Sequence, residues 1–134
     1  MPLTTIFDIA GSAMSAQSLR LNTTASNLAN VNTISGDAAT AYRSRQPLFR
    51  VAEGGDAGSA GVRVEGIVES KAQPTVLHLP DHPQADADGN VFMSNVNVVE
   101  EMVNMIAASR SYQNNVEVAK VSKELLLRTL SLGQ

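Results

Sequence analysis

Both ends of this 134-residue chain carry a long apolar stripe whose positions alternate between three and four residues apart. The C-terminal stripe runs from residue 98 to residue 130, and eight of its ten positions are apolar. The N-terminal stripe runs from residue 3 to residue 31, and seven of its nine positions are apolar. A mean spacing of about 3.5 residues is typical of helices that pack lengthwise against another helix. We therefore expect one long helix at each end of the chain, with the two packed together.

The surface of the N-terminal helix is almost uncharged. This helix is predicted from about residue 5 to about residue 30, with Thr5 as its N-cap and Asp8 at the reciprocal capping position. Between residues 1 and 36 the only charged residues are Asp8 and Arg20. The face outside the stripe consists of Ser12, Ser15, Ser18, Asn22, Thr23, Ser26 and Asn27. Because hydroxyl and amide groups cost less to bury than charges, we expect protein to cover this helix on several sides in a larger assembly.

The C-terminal helix is predicted from Val98 to about Leu130. Asn97 is its expected N-cap, with Glu100 at the reciprocal position. The middle of the chain joins the end of the first helix to the start of the second, so the two helices should run antiparallel. We expect Leu21 and Leu28 to pack near Met105, Tyr112 or Val116.

The middle of the chain is rich in Gly and Pro and contains short strand patterns. We expect strands over 47–51, 62–69 and 75–79, and a turn at Asp88-Gly89 before a further strand over 91–93. They should form one antiparallel sheet of three or four strands. The predicted fold is therefore mainly α with a small β region, in which the terminal helices pair as an antiparallel coiled coil. The expected domains are an N-terminal helix (1–35), a small β domain with loops (36–94) and a C-terminal helix (95–134).

The two stripes and their polar neighbours define the predicted packing surface, for contacts within the chain and with other chains. Its residues are Phe7, Met14, Leu21, Asn27, Leu28, Asn30, Val98, Met102, Met105, Ile106, Tyr112, Val116, Leu126 and Leu130.

No catalytic, cofactor or metal site is expected. The chain has no cysteine, which excludes disulfides and thiolate ligands. His78 and His82 are four residues apart, but Pro80 between them prevents the helix that would bring both to one metal. The glycines of the loop at residues 54–61 match neither the dinucleotide nor the phosphate-loop pattern.

A calcium loop and a nucleic-acid surface are also disfavoured. Asp86, Asp88 and Asn90 resemble the start of a calcium loop, but Val91 stands where the sharp-turn Gly is needed and Asn97 where the bidentate Glu is needed. A turn rich in Asp and Asn explains the same residues. The net charge of -3 argues against a grip on nucleic-acid phosphates, and no apolar run is long enough to span a membrane.

Several segments resemble one known family, the flagellar basal-body rod proteins. The resemblance lies in Ile6 to Met14, in the Ser-Asn-Leu-Ala-Asn-Val-Asn-Thr stretch from Ser26 to Thr33, and in residues 42–49. Residues 82–86, 95–105 and 108–116 are similar to a proximal-rod member of that family. The resemblance covers nearly the whole chain and departs mainly in the Gly-rich loop.

The resemblance implies a structural subunit of the hollow rod that carries torque through the periplasm to the hook, needed for flagellum assembly and motility. It implies copies of the same chain and other rod subunits as partners, in a helical assembly with the terminal helices inside. It also implies export by the flagellar type III apparatus without cleavage of a signal peptide. The residues alone would have suggested the cytoplasm, because the first 19 contain no Lys or Arg and so no basic signal-peptide region.

A second hypothesis is a cytoplasmic coiled-coil adaptor or chaperone-like protein that binds one partner helix. Such a protein needs one buried seam and should carry charges on its other faces. The uncharged face of the first helix therefore favours a rod subunit. An enzyme is not expected, since no nucleophile–base pair and no convergent carboxylate pair is evident.

Overall fold

The computed structural model describes residues 3–53 and 60–132. Two long helices flank five strands: α1 (Leu3–Ala29), β1 (Ile34–Ser35), β2 (Arg45–Glu53), β3 (Ala60–Glu69), β4 (Thr75–His78), β5 (Asn90–Met93) and α2 (Val98–Leu132). Of the described residues, 50% are helical and 23% are in strands, which confirms a fold that is mainly α with a small β region. Both helices lie within two residues of the predicted bounds.

The two helix starts differ in how well the sequence predicted them. At α2 the prediction is confirmed, because Asn97 Oδ1 accepts hydrogen bonds from the N–H groups of Val99 (3.1 Å) and Glu100 (3.3 Å). At α1 the prediction is wrong. The helix already begins at Leu3 and has no acidic residue in its first turn, so Thr5 lies inside the helix and cannot cap it.

The strands form two sheets, so the prediction of one sheet is wrong. One sheet has three antiparallel strands in the order β1-β5-β4, with Ile34 opposite Met93 and Val76 opposite Phe92. The other consists of β2 and β3 alone. Strand β1, only two residues long and directly after α1, carries no alternating pattern, and it completes the first sheet by pairing with β5.

The turn before β5 is built around one carboxylate. Asp86 accepts hydrogen bonds at Oδ1 from the N–H groups of Asp88 (3.0 Å) and Asn90 (2.8 Å). Gly89 has a φ of 76°, a left-handed conformation that glycine adopts at no steric cost. The Asp86 carboxylate therefore stabilises the backbone of the turn, which confirms the predicted turn and explains the partial likeness to a calcium loop.

Contacts divide the chain into two compact units, each containing part of both helices. Unit 1 comprises Met1–Leu21, Pro47–Gly66 and Ile106–Gln134, and unit 2 comprises Asn22–Gln46 and Ile67–Met105. The buried residues of unit 1 include Ala10, Ala16, Ala108 and Ser122. Those of unit 2 include Thr23, Thr24, Asn27, Ala41, Ser44, Val91, Ser94 and Glu101. Small and polar side chains thus make up most of what each unit buries.

In strand β3 the expected alternation holds for part of its length. Val62 and Val64 are half-buried, whereas Arg63 and Glu65 are exposed. Val68 departs from the pattern, because 44% of its surface is exposed.

Candidate assembly surface

The apolar stripe of α2 is largely exposed in the single chain. Met102 is 53% exposed, Ile106 55% and Leu130 63%. The other exposed members of the predicted packing set are Val98, Tyr112 and Val116, while Met105 and Leu126 are half-buried. Exposed apolar residues outside the predicted set extend this surface: Val99, Val103, Val118, Val121, Leu125, Leu127 and Leu132. A helix face of this length and hydrophobicity is typical of a protein–protein contact.

A different stripe of α2 is buried by the chain itself. Glu101, Ala108 and Ser122 are buried, and Asn115, at the same seven-residue spacing, is half-buried. This stripe is offset by one residue from 102, 109, 116 and 123, which corresponds to a rotation of about 100° around the helix. The α2 helix therefore has two faces with the same period, one small and polar and one apolar.

Most of the predicted packing residues of α1 are half-buried. Asn27 is fully buried, and Phe7, Met14, Leu21, Leu28 and Asn30 are half-buried. The exposed positions of α1 are spaced like a helical stripe and are mostly small or polar: Asp8, Gly11, Ser15, Ser18, Asn22, Ala25 and Ala29. Part of the uncharged face predicted from the sequence is thus exposed in the single chain.

Three other residues of that uncharged face, Ser12, Ser26 and Asn27, bond to this chain's own middle segment. In unit 1, Ser12 Oγ donates to the Ile9 carbonyl (2.8 Å) and accepts from the Val62 N–H (3.1 Å), which fastens β3 to α1. A Cβ on Gly61 would lie 2.9 Å from Ser12 Oγ, so the strand approaches the helix closely only because residue 61 has no side chain. Residues 54–59 of the predicted loop lie outside the described residues, whereas Gly61 lies in β3 and has a packing role that the loop prediction did not include.

An open apolar groove continues the exposed surface in unit 1. It has a volume of about 490 Å³ and is lined by Ile6, Asn114, Glu117, Val118, Val121 and Ser122. Both valines are nearly half exposed, so the groove could receive an apolar side chain from another protein.

In unit 2, a buried polar cluster of Asn27, Ser44 and Glu101 joins three segments of the chain. The Asn27 carboxamide donates through Nδ2 to Glu101 Oε1 (3.0 Å) and to the Arg45 carbonyl (2.8 Å). Its Oδ1 accepts from the Arg45 N–H (3.0 Å) and from the Tyr42 hydroxyl (3.0 Å). One side chain at the end of α1 thereby contacts both the first residue of β2 and the first turn of α2.

Ser44 connects the polar cluster to the segment that leads into α2. Its hydroxyl donates to Glu101 Oε1 (3.2 Å), and its N–H donates to Asn95 Oδ1 (2.7 Å). Its carbonyl accepts from the Ser70 N–H (2.7 Å). The sequence singled out Asn27 but missed Glu101 as its partner, because an acidic residue in the first turn of a helix is explained equally well by its effect on the helix dipole.

The histidines and acidic residues form no metal centre in the described ranges. No group of three or more His, Asp or Glu residues in these ranges could hold a metal ion. His78 Nδ1 lies 3.3 Å from Asn90 Oδ1, and His82 Nδ1 accepts from the Gln84 N–H at 3.1 Å.

Neither helix, over its described length, is both long enough and apolar enough to cross a bilayer.

Comparisons with known proteins identify the family of the chain. The family described as "Flagella basal body rod protein" matches residues 7–34, and "Flagellar basal body rod FlgEFG protein C-terminal" matches residues 87–132. The chain is 52% identical to the flagellar basal-body rod protein FlgC of Yersinia enterocolitica, and 51% identical to that of Escherichia coli O157:H7. It is 49% identical to FlgC of Salmonella typhimurium, and each alignment covers 100% of both chains. The chain belongs to the flagellar basal-body rod protein family.

Membership in this family settles the broad function. The rod protein is a structural subunit of the flagellar basal body, which confirms the rod hypothesis over the adaptor hypothesis. Its relatives are structural proteins, and the family is not known to be enzymatic. The site to be explained in this rod protein is therefore a surface for assembly.

Proposed function

We propose that the exposed apolar face of α2 is the surface through which this subunit packs against copies of itself and other rod subunits. The observation that carries the proposal is the exposure of Val98, Met102, Ile106, Tyr112, Val116 and Leu130, at 37% or more each. Leaving so much apolar surface in water is unfavourable, by about 25 cal/mol per Å². A neighbouring helix that covers this face would recover that free energy.

The terminal helices pair antiparallel as a coiled coil in this proposal. In unit 2, Asn27 near the end of α1 bonds to Glu101 in the first turn of α2. In unit 1, Ile6 near the start of α1 shares a groove with Val118 and Val121 in the second half of α2. Each of these contacts pairs positions that antiparallel helices would bring together.

The remaining features of the proposal rest on the family resemblance. The subunit occupies the proximal rod in the periplasmic space, after export by the flagellar type III apparatus without cleavage of a signal peptide. Its predicted organisation is a helical segment at 1–35, a β middle at 36–94 and a second helical segment at 95–134. The fourteen residues of the predicted packing set keep a packing role in this proposal. Asn27 acts inside the chain, where it is fully buried, and the exposed residues of α2 face neighbouring subunits.

The test is to place a charge on the proposed surface and compare it with a charge elsewhere on α2. Met102→Asp and Val116→Asp change exposed residues, so the free energy of unfolding of the monomer should shift by less than about 0.5 kcal/mol. In the assembled rod the same carboxylates would be buried without a partner, at a cost of several kcal/mol. Cells that carry either variant should therefore lack rods in isolated basal bodies and should not swim.

Ala107→Asp is the matched control, because Ala107 is exposed on the same helix but lies about 140° around it from Met102 and about 180° from Val116. It should leave both rods and swimming intact. Normal rods with Met102→Asp and Val116→Asp would show that the apolar face of α2 is not the assembly surface. Loss of rods with all three variants would show that α2 tolerates no added charge anywhere, which would also contradict a surface confined to one face.

A further inference from the structure

The polar cluster of Asn27, Ser44 and Glu101 occupies a place where apolar side chains would be expected. Asn27 is 0% exposed and Glu101 4%, so both are shielded from water. Burying a carboxylate carries a desolvation penalty of several kcal/mol, and replacing buried polar groups by apolar ones of similar volume is often neutral or stabilising. Stability alone is therefore a poor explanation for this cluster.

Its hydrogen bonds can be satisfied in one arrangement of the three segments. The Asn27 carboxamide pairs with both the N–H and the C=O of Arg45, in the manner of a neighbouring strand, and still donates to Glu101. An aspartate could not donate to the Arg45 carbonyl, and a hydroxyl side chain could not make all of these bonds at once. Asparagine is the residue whose length and chemistry fit all three partners.

Within unit 2, the other buried residues of the two helices are Thr23 and Thr24, which are small and would resist sliding of the helix ends only weakly. The pairing of β1 with β5 also restrains these ends, through the four residues that separate each strand from its helix. A shift by one helical turn is about 5.4 Å. The same shift would separate Glu101 from both of its donors and leave a buried carboxylate unpaired. The cost of that state would exceed any difference in the packing of small residues.

We propose that Asn27, Ser44 and Glu101 form a register lock, which permits a single alignment of the end of α1, the start of β2 and the start of α2. Because the cluster needs Ser44 and the backbone of Arg45, the two helix ends can adopt this alignment only when the segment at 42–45 is docked between them. The lock acts within unit 2 and does not depend on how the subunit assembles.

The test separates register from stability by replacing the polar pair with apolar residues. Asn27→Leu alone would leave Glu101 short of a donor, and Glu101→Leu alone would leave Asn27 Nδ2 and Ser44 Oγ short of an acceptor. Each single variant should raise the unfolding equilibrium constant by roughly 100-fold or more. The double variant, Asn27→Leu with Glu101→Leu, should cost less than the product of the two effects, because replacing Asn27 then no longer leaves a buried Glu101 carboxylate without its donor. The Arg45 backbone groups lose their Asn27 partners equally in Asn27→Leu and in the double variant. Urea denaturation monitored by circular dichroism measures these constants.

Register itself is measured by counting the amide resonances of residues 22–29 and 98–105 in an NMR spectrum of the isolated subunit. The natural chain and Glu101→Gln, whose amide oxygen still accepts from Asn27, should give one set of resonances. The double-leucine variant should keep its helix content but give several sets, one for each alignment. A single set with the chemical-shift pattern of the natural chain would overturn the proposal. So would failure of the double variant to fold, since the cluster would then be required for stability.

Discussion

Asn27 Nδ2 donates a hydrogen bond of 3.0 Å to Glu101 Oε1 although 74 residues separate them in the chain. Both residues are almost completely buried, so this bond joins the two terminal helices in a region that water does not reach. The stability of the subunit should therefore depend on which group stands at position 27, because an amide can donate a hydrogen bond to the buried Glu101 carboxylate and a second carboxylate cannot.

The first prediction concerns that donor. Asn27→Asp should destabilise the subunit by about 3 kcal/mol or more, since it places a second carboxylate beside that of Glu101. It should be more harmful than Asn27→Ala, although aspartate is closer to asparagine in shape. Urea denaturation of the two variants measures the difference.

Changing the acceptor provides the control for this prediction. In the double variant Asn27→Asp with Glu101→Gln, the new Gln amide can donate to Asp, so part of the lost stability should return. If Asn27→Asp proved no worse than Asn27→Ala, or if Glu101→Gln gave no rescue, the repulsion between the two carboxylates would not be the cause.

The second prediction concerns the close approach of β3 to α1. Gly61→Ala would place a Cβ 2.9 Å from Ser12 Oγ, and we expect a loss of about 1–3 kcal/mol from this overpacking. Gly66→Ala, in the same strand, meets nothing within 4 Å and should be nearly neutral. Thermal denaturation of both variants checks the difference.

Ser12→Ala tests whether the serine hydroxyl is the cause. Alone it removes the acceptor of the Val62 N–H and should cost about 1 kcal/mol. Combined with Gly61→Ala it should cost less than the sum of the two, since the clashing atom is gone. Strict additivity would mean that the loss in Gly61→Ala comes from another contact.

The third prediction compares two glycines with opposite backbone requirements. Gly89 has a φ of 76°, and a Cβ there would lie 3.0 Å from the His78 ring, so Gly89→Ala should cost at least about 1–2 kcal/mol. Gly11 lies inside α1 with open space around it, and Gly11→Ala should stabilise the isolated subunit by about 0.5–1 kcal/mol. Calorimetry should show shifts of Tm in opposite directions, and shifts of the same sign would contradict the backbone explanation.

The fourth prediction concerns the start of α2. Asn97→Ala removes the acceptor for the N–H groups of Val99 and Glu100 and should destabilise the subunit by about 1 kcal/mol. Asn97→Asp keeps that acceptor and adds a charge that favours a helix N-terminus, so it should be neutral. Equal losses for Ala and Asp, measured by urea denaturation, would show that the amide group rather than the capping oxygen is needed.

The helices were predictable because their signals are local. An apolar residue at every third or fourth position over about thirty residues is typical of a helix. The capping signal is also local, because Asn97 accepts hydrogen bonds from N–H groups only two and three residues further along the chain. The start of α1 was misjudged because a capping residue is recognised by its type, and Thr5 is also tolerated inside a first turn. Helix ends are the least certain part of such a pattern.

The strands were recognised as strands but not assigned to the correct sheets. Alternation along the chain shows that a segment such as 62–69 has two different faces, but it contains no information about which strand lies beside it. The division into β1-β5-β4 and β2-β3 depends on pairings between distant segments, such as Ile34 with Met93. Strand β1 is also too short to show any alternation.

Local patterns in the sequence were therefore enough to predict the two helices, the β middle and a long apolar stripe on each helix. They did not predict that the stripe around Met102 and Val116 is exposed while the stripe of Glu101, Ala108 and Ser122 is buried, because this depends on tertiary contacts. A periodic apolar stripe predicts that one face of a helix is buried. It does not identify what buries that face, because the same apolar residues suit a helix of the same chain and a helix of a neighbouring chain. Glu100 and Glu101 are likewise equivalent in local sequence, and only Glu101 meets Asn27, because one residue along a helix turns a side chain by about 100°.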